Sequence, residues 1–135
     1  MIWNETKECM SRDEMQTIQS ARLVKLVNRV YHNVEYYRKK MQQIGLEPGD
    51  IQGIEDLNKL PYTTKDDLRD TYPFGMFAVP RSEIVRVHAS SGTTGKATVV
   101  GYTRRDIDMW SECVAMVFRR YGAAFMISVN FSTAP

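Results

Sequence analysis

The chain has 135 residues, 43% hydrophobic and 25% charged, a balance that predicts one modest globular domain and excludes a disordered polymer. Its formal net charge of +2 is too small to call for nucleic acid or an anionic membrane as partner. No run approaches the roughly 18 apolar residues of a membrane span, residues 1–10 lack the basic start and apolar core of a signal peptide, and Cys9 and Cys113 form no ligand-like cluster, so a soluble cytoplasmic protein with free thiols is expected.

Ser11-Arg12-Asp13-Glu14 is a capping-box pattern, and Met15, Ile18, Leu23, Leu26, Val27, Val30 and Tyr31 follow at near-helical spacing. The spacing predicts an amphipathic helix from Ser11 to His32. A second helix, from Val34 to Ile44, stops at Gly45, and Pro48-Gly49 confirms the break. Ile54 to Leu60 carries a weak helical pattern that ends at Pro61. Thr64 caps a short helix from Lys65 to Thr71, which stops before Pro73. From Ile84 the period changes: Ile84, Val85 and Val87, then Val99, Val100 and Tyr102, read as two strands. A helix from Arg104 to Tyr121 follows, with Ile107, Trp110, Cys113, Val114, Val117, Phe118 and Tyr121 on one face and Gly122 as its stop. Residues 123–135 are apolar and strand-like. Two or three strands do not make an independently stable open sheet, so the chain reads as the front end of a larger α/β domain.

Between the two strands lies Ser90-Ser91-Gly92-Thr93-Thr94-Gly95-Lys96, which offers backbone N–H groups, four hydroxyls and one ammonium to one small volume. A polyphosphate suits that combination. The alternative is a Gly/Thr hairpin turn, for which Thr93-Thr94 is a poor choice. The loop is not a Walker A motif, which needs Gly at Ser90 and Ser or Thr at Ala97, nor is it G-x-G-x-x-G.

Other chemistry-bearing residues read as structural. His88 is expected as a hydrogen-bonded interior histidine. His32 is explained by its place near a helix C-terminus. Trp110 and the methionines at helical spacing are expected in the core. Lys65-Asp66-Asp67 and Arg104-Arg105-Asp106 are expected on solvated faces, with no metal site by spacing.

Ser90 to Lys96 resembles the phosphate-binding signature of the adenylate-forming superfamily of acyl-CoA synthetases. The surroundings narrow the likeness to the phenylacetate–CoA ligase family. They include Leu60-Pro61-Tyr62-Thr63-Thr64-Lys65-Asp66-Asp67-Leu68-Arg69 with Tyr72-Pro73-Phe74-Gly75, His88-Ala89 before the loop, and Val99-Val100-Gly101-Tyr102-Thr103 after it. Arg22-Leu23 and the region Tyr31 to Arg38 are similar too, and the likeness covers about residues 3–122. It implies an α/β fold: the N-terminal part of the large domain of an adenylate-forming enzyme, a helical region followed by strands flanking a phosphate loop. It also implies a reaction in which an aryl acetate attacks the α-phosphate of ATP and the thiol of coenzyme A then displaces AMP, with Mg²⁺ and the loop stabilising the departing pyrophosphate. Ser90, Ser91, Gly92, Thr93, Thr94 and Gly95 take the phosphate-holding role by this likeness, and Lys96 fits as the phosphate cation. Many superfamily members place their lysine where this chain has Thr98, and Ala97 stands where proline is usual. A homodimer is a further implication.

The likeness reaches only the opening part of the family's length. The regions for adenine, ribose, Mg²⁺ and the aryl group lie outside it, as does the mobile C-terminal domain that supplies the adenylation lysine, and no catalytic residue is assigned within the chain. Without them the chain is expected to be inactive alone, since positioning supplies most of this catalysis. Another adenylating ligase, or a noncatalytic remnant, are the competing readings. Residues 1–122 are thus read as part of the AMP-binding domain and 123–135 as a divergent tail. Read in the frame starting at the third base of the Phe125 codon, the tail permits His-Asp-Ile-x-Gln-x-x-Tyr-Gly, with the Asp forced by Met126-Ile127. That string resembles the family at this point, so the tail is expected to be a frameshift product.

Overall fold

A computed structural model describes residues 2–90 and 97–120. The elements are helices α1 (Glu5–Glu8), α2 (Arg12–Asn33), α3 (Glu35–Gln43) and α4 (Lys65–Asp70), strands β1 (Ile84–Ala89) and β2 (Val99–Thr103), and helix α5 (Arg104–Arg120). Single 3-10 turns lie at Pro48–Asp50 and Arg81–Glu83, and a longer 3-10 segment spans Ile54–Lys59. The weak helical pattern expected at Ile54 is therefore a 3-10 helix. The fold is mixed but mostly helical, with a two-stranded antiparallel sheet. Tyr121, the expected stop Gly122 and the tail from Ala123 lie outside the described residues.

Local chemistry explains where the first helices start and stop. Ser11 Oγ accepts the Glu14 N–H at 3.2 Å, and Glu14 Oε2 accepts the Ser11 N–H at 2.9 Å, which closes the capping box. The Ser11 backbone N–H, then the Ser11 hydroxyl, which donates to Glu14 Oε2 at 2.8 Å, hold the Glu14 carboxyl below its ordinary pKa. Val34 is a one-residue joint between α2 and α3: its backbone is extended and its side chain is buried. At the end of α3, Gly45 takes φ +69°, the Gly45 N–H bonds Gln42 O at 3.0 Å, and the Leu46 N–H bonds Met41 O at 3.0 Å. This is the Schellman arrangement, and its usual apolar contact is present because Met41 and Leu46 share one core cluster.

That cluster holds the N-terminal region together. Val27 and Tyr31 of α2 meet Met41, Leu46 and Ile51, with Leu23 and Leu60 packed at its edge. Of the methionines expected inside, only part are there: Met41 is 1% exposed, whereas Met15 and Met109 are 43% and 50% exposed. Helical spacing marks the side that seeks cover; whether an element lies against it is a tertiary matter.

A polar clasp ties α3 to α4. Thr64 and Asp67 form a second capping box, with the Thr64 N–H 2.6 Å from Asp67 Oδ2 and the Asp67 N–H 3.3 Å from Thr64 Oγ1. The Lys40 ammonium donates to the Tyr36 hydroxyl at 2.5 Å, to Tyr62 O at 2.7 Å and to Asp67 Oδ2 at 3.1 Å. The Thr64 N–H, then the Tyr36 hydroxyl, push the Asp67 carboxyl well below the carboxylate range. The Tyr36 hydroxyl is likewise the main reason the Lys40 pKa is raised. The expectation of a solvated face at Lys65-Asp66-Asp67 thus holds for Asp66, with a side chain 79% exposed, and fails for Asp67, at 20%.

The N-terminal segment is strapped to α5. Asn4 Nδ2 donates to Glu112 Oε1 at 2.7 Å, Lys7 pairs with the other Glu112 oxygen, and the Arg119 guanidinium lies 5.9 Å from the Trp3 ring. Among the described residues of the expected apolar face of α5, only Ile107 is buried; Trp110 is 48% exposed, and Val117 and Phe118 are exposed as well. The core position expected for Trp110 is corrected accordingly, because among the described elements β2 is the main neighbour of α5.

Candidate functional site

The hairpin that carries the candidate loop is built by β-branched residues on both sides. Ala89 pairs with Val99, His88 with Val100, Val87 with Gly101, Arg86 with Tyr102 and Ile84 with Thr103, with a register irregularity between Ile84 and Arg86. Gly101 is required by packing: a Cβ there would stand 2.5 Å from Phe77 Cζ and 3.1 Å from Ile84 Cδ1. Phe77 in turn packs on Phe74 at a ring separation of 5.2 Å, and the Arg81 guanidinium covers Phe74 at 4.5 Å. The hairpin therefore rests on an aromatic support supplied by the Phe74–Phe77 segment.

Directly beyond β2, the Thr103 N–H and hydroxyl donate to Asp106 Oδ2 at 2.9 and 2.7 Å, and the Asp106 N–H returns to Thr103 Oγ1 at 3.3 Å. This reciprocal cap starts α5 without a connecting loop. It also corrects the expected solvated role of Asp106, whose carboxylate is spent on the cap. A cleft of about 340 Å³ runs between α2 and the hairpin, lined by Leu26, Val30, Phe77, Ile84, Gly101 and Asp106 among others.

Of the candidate phosphate ligands, Ser91, Gly92, Thr93, Thr94, Gly95 and Lys96 lie outside the described residues. Ser90 is described, and it sits at the base of the loop. Its N–H donates to Thr98 O at 3.0 Å, while its Oγ accepts the Thr98 N–H at 3.1 Å and the Thr98 hydroxyl at 2.8 Å. The two ends of the loop are thus tied by three hydrogen bonds. Thr98 was not among the sequence candidates, although many superfamily members place their lysine there; in the structure it stands opposite Ser90, one step beyond the Ala89–Val99 pair.

His88 is not the interior histidine expected from its strand position. It is exposed, edge-on to Tyr102 at 5.0 Å and to Trp110 at 6.0 Å, while Tyr102 and Trp110 stack at 5.9 Å with a 19° interplanar angle. The described two-stranded sheet leaves His88 exposed, and the three rings pack on one another. Among the described residues, no group of three His, Cys, Asp or Glu side chains could hold a metal ion, and no helix is long and apolar enough to cross a membrane.

The chain is 48% identical over 123 residues to phenylacetate–coenzyme A ligase of Thermus thermophilus, 53% over 118 residues to that of Aromatoleum evansii, and 51% over 117 residues to that of Escherichia coli K12. The resemblance to phenylacetate–coenzyme A ligase is established. These matches take in 87–91% of the chain, which spans only 27–28% of the length of these curated relatives. No protein-family model matches. In structure, the chain is similar to 2-hydroxyisobutyryl-CoA ligase in complex with 2-HIB-AMP and CoA, in the thioesterification state. The TM-score is 0.77 at 30% identity, over 87% of this chain and 26% of that one. An open conformation of the same ligase gives a TM-score of 0.75 at 28% identity, over 87% of this chain and 28% of that one. The mixed helix–strand fold is thus that of the corresponding region of acyl-CoA ligases.

Proposed function

We propose that this chain supplies the phosphate-holding part of an ATP-dependent ligase that joins phenylacetate to coenzyme A through an acyl-adenylate. The observation that carries this reading is identity of about 50% to three phenylacetate–coenzyme A ligases across a stretch that includes the strand–loop–strand unit. In this reading the hydroxyls and amides of Ser90, Ser91, Gly92, Thr93, Thr94 and Gly95 hold the β- and γ-phosphates, and Lys96 supplies a cation. The carboxylate attacks the α-phosphate, pyrophosphate leaves, and the thiol of coenzyme A then displaces AMP. Donors fixed in place before the reaction lower the cost of charge building on pyrophosphate. Magnesium belongs to the same proposal, as the ion that joins the loop in stabilising the departing pyrophosphate. A cytoplasmic location and a homodimer belong to the same proposal.

An aryl acetate is preferred to a hydroxy acid because identity to the phenylacetate ligases exceeds the 30% found with the 2-hydroxyisobutyryl-CoA ligase. We further propose that the 135 residues do not complete the reaction alone, and that the tail from about Ala123 is a frameshift product. ATP–pyrophosphate exchange with phenylacetate tests both statements. The chain by itself should give no exchange, and a version continued in the alternative frame should restore it. Exchange by the chain alone refutes the first statement. A stop or unrelated sequence in the alternative frame refutes the second. MgATP should raise the melting temperature of the chain, as any ligand of the folded state does; an unchanged melt refutes the phosphate site.

A further inference from the structure

We infer that Thr98 is a positioning residue that turns the Ser90 hydroxyl into a dedicated hydrogen-bond donor for a phosphate oxygen. The inference rests on the phosphate-site reading above and goes beyond it by assigning a role to a residue outside the loop signature. A serine hydroxyl has one proton to donate and two lone pairs that accept. At Ser90 both acceptor places are taken, one by the Thr98 N–H at 3.1 Å and one by the Thr98 hydroxyl at 2.8 Å. What remains is the Ser90 O–H. A phosphate oxygen has lone pairs and no proton, so it needs that polarity. The reciprocal bond from the Ser90 N–H to Thr98 O, at 3.0 Å, fixes the backbone on which the hydroxyl stands.

Thr98 suits this work better than most residue types. Its N–H and Oγ1 reach the same oxygen from one residue, and its β-branch restricts χ1 on an extended backbone. Ser90 and Thr98 continue the antiparallel pairing one step past Ala89–Val99, so the clasp inherits its register from the hairpin. The clasp and the donor role are separable claims. The first concerns the chain alone, whereas the second concerns an anion on it.

The experiment uses the full chain and four proteins: wild type, Thr98→Val, Thr98→Ser and Ser90→Ala. Amide hydrogen exchange reads the clasp. Ser90→Ala should speed exchange at the Thr98 amide about fivefold or more, while amides of Ile84 to Val87 keep their rates. Titration calorimetry with MgATP, and separately with inorganic tripolyphosphate, reads the donor role. Thr98→Val should weaken both ligands about fivefold, the worth of one neutral hydrogen bond, and Thr98→Ser should restore them. An unchanged Thr98 exchange rate in Ser90→Ala overturns the clasp, and the inference with it. Wild-type binding that survives Thr98→Val unweakened overturns the donor role alone. A wild-type chain that binds neither ligand, with Thr98 exchange still sensitive to Ser90→Ala, overturns the phosphate site and the donor role together and leaves the clasp as structure. Thermal melts of each variant identify any loss of fold.

Discussion

Truncating Met41 to alanine tests whether the small cluster around α2 and α3 is the core that holds the N-terminal region. Met41 is 1% exposed and meets Val27, Tyr31, Leu46 and Ile51. The change removes the side chain beyond Cβ from a closed site, and it also deprives the Schellman turn of its apolar contact with Leu46. Burial loss and the residual cavity together cost about 2–5 kcal/mol for Met→Ala in a packed interior. For a chain of this size each kcal/mol lowers the melting temperature by about 3–6 °C, so a fall of about 6 °C or more is expected. The assay is thermal unfolding followed by helical circular dichroism, with Met109→Ala as control. Met109 is half exposed, so its truncation should stay within about 0.5 kcal/mol. Met41→Leu conserves volume and should cost less than about 1.5 kcal/mol, which keeps the test informative even where the alanine variant does not fold. If Met41→Ala melts within a degree or two of Met109→Ala, the cluster is not the core and the reasoning fails.

Gly101→Ala places a methyl 2.5 Å from the Phe77 ring, so the support beneath the hairpin must shift; an overpacking cost of about 1–3 kcal/mol is expected, read as a lower melting temperature. An unaltered melt would mean that Phe77 does not press on the strand. The Asp67 carboxyl has a folded pKa below its unfolded value, so its contribution to stability is complete above about pH 4 and is lost as the pH falls through the folded pKa. Acid titration of wild type and Asp67→Asn should show the variant less sensitive in that window, and parallel curves would reject the assignment. Glu112→Ala removes the anchor shared by Asn4 and Lys7, so the amides of Glu8 and Cys9 should exchange faster while the global melt moves little. Unchanged exchange at those amides would show that the strap does not hold α1.

Where sequence and structure agree, the determinant lies within a few residues. The Ser11–Glu14 and Thr64–Asp67 boxes set helix starts because each is a reciprocal pair spanning three positions. Gly45 sets a helix end because a left-handed residue is needed there and glycine adopts it without a Cβ penalty. The strands on either side of the candidate loop follow from β-branched runs. The family resemblance was legible for the same reason, since it resides in contiguous strings of residues.

Tertiary structure alone decided which amphipathic faces found cover and which side chains met across the chain. Met15 and Val27 belong to the same helical pattern, yet Val27 is enclosed and Met15 is not, because burial depends on a neighbour that local spacing does not encode. His88 met Tyr102 and Trp110 through sheet register and the seat of α5. Asp67 met Lys40 across 27 residues, and Thr98 met Ser90 only once the hairpin had fixed its register. Hydrogen bonds and packing act over a few ångströms in space, so residues distant in sequence gain their chemistry only after the backbone has brought them together.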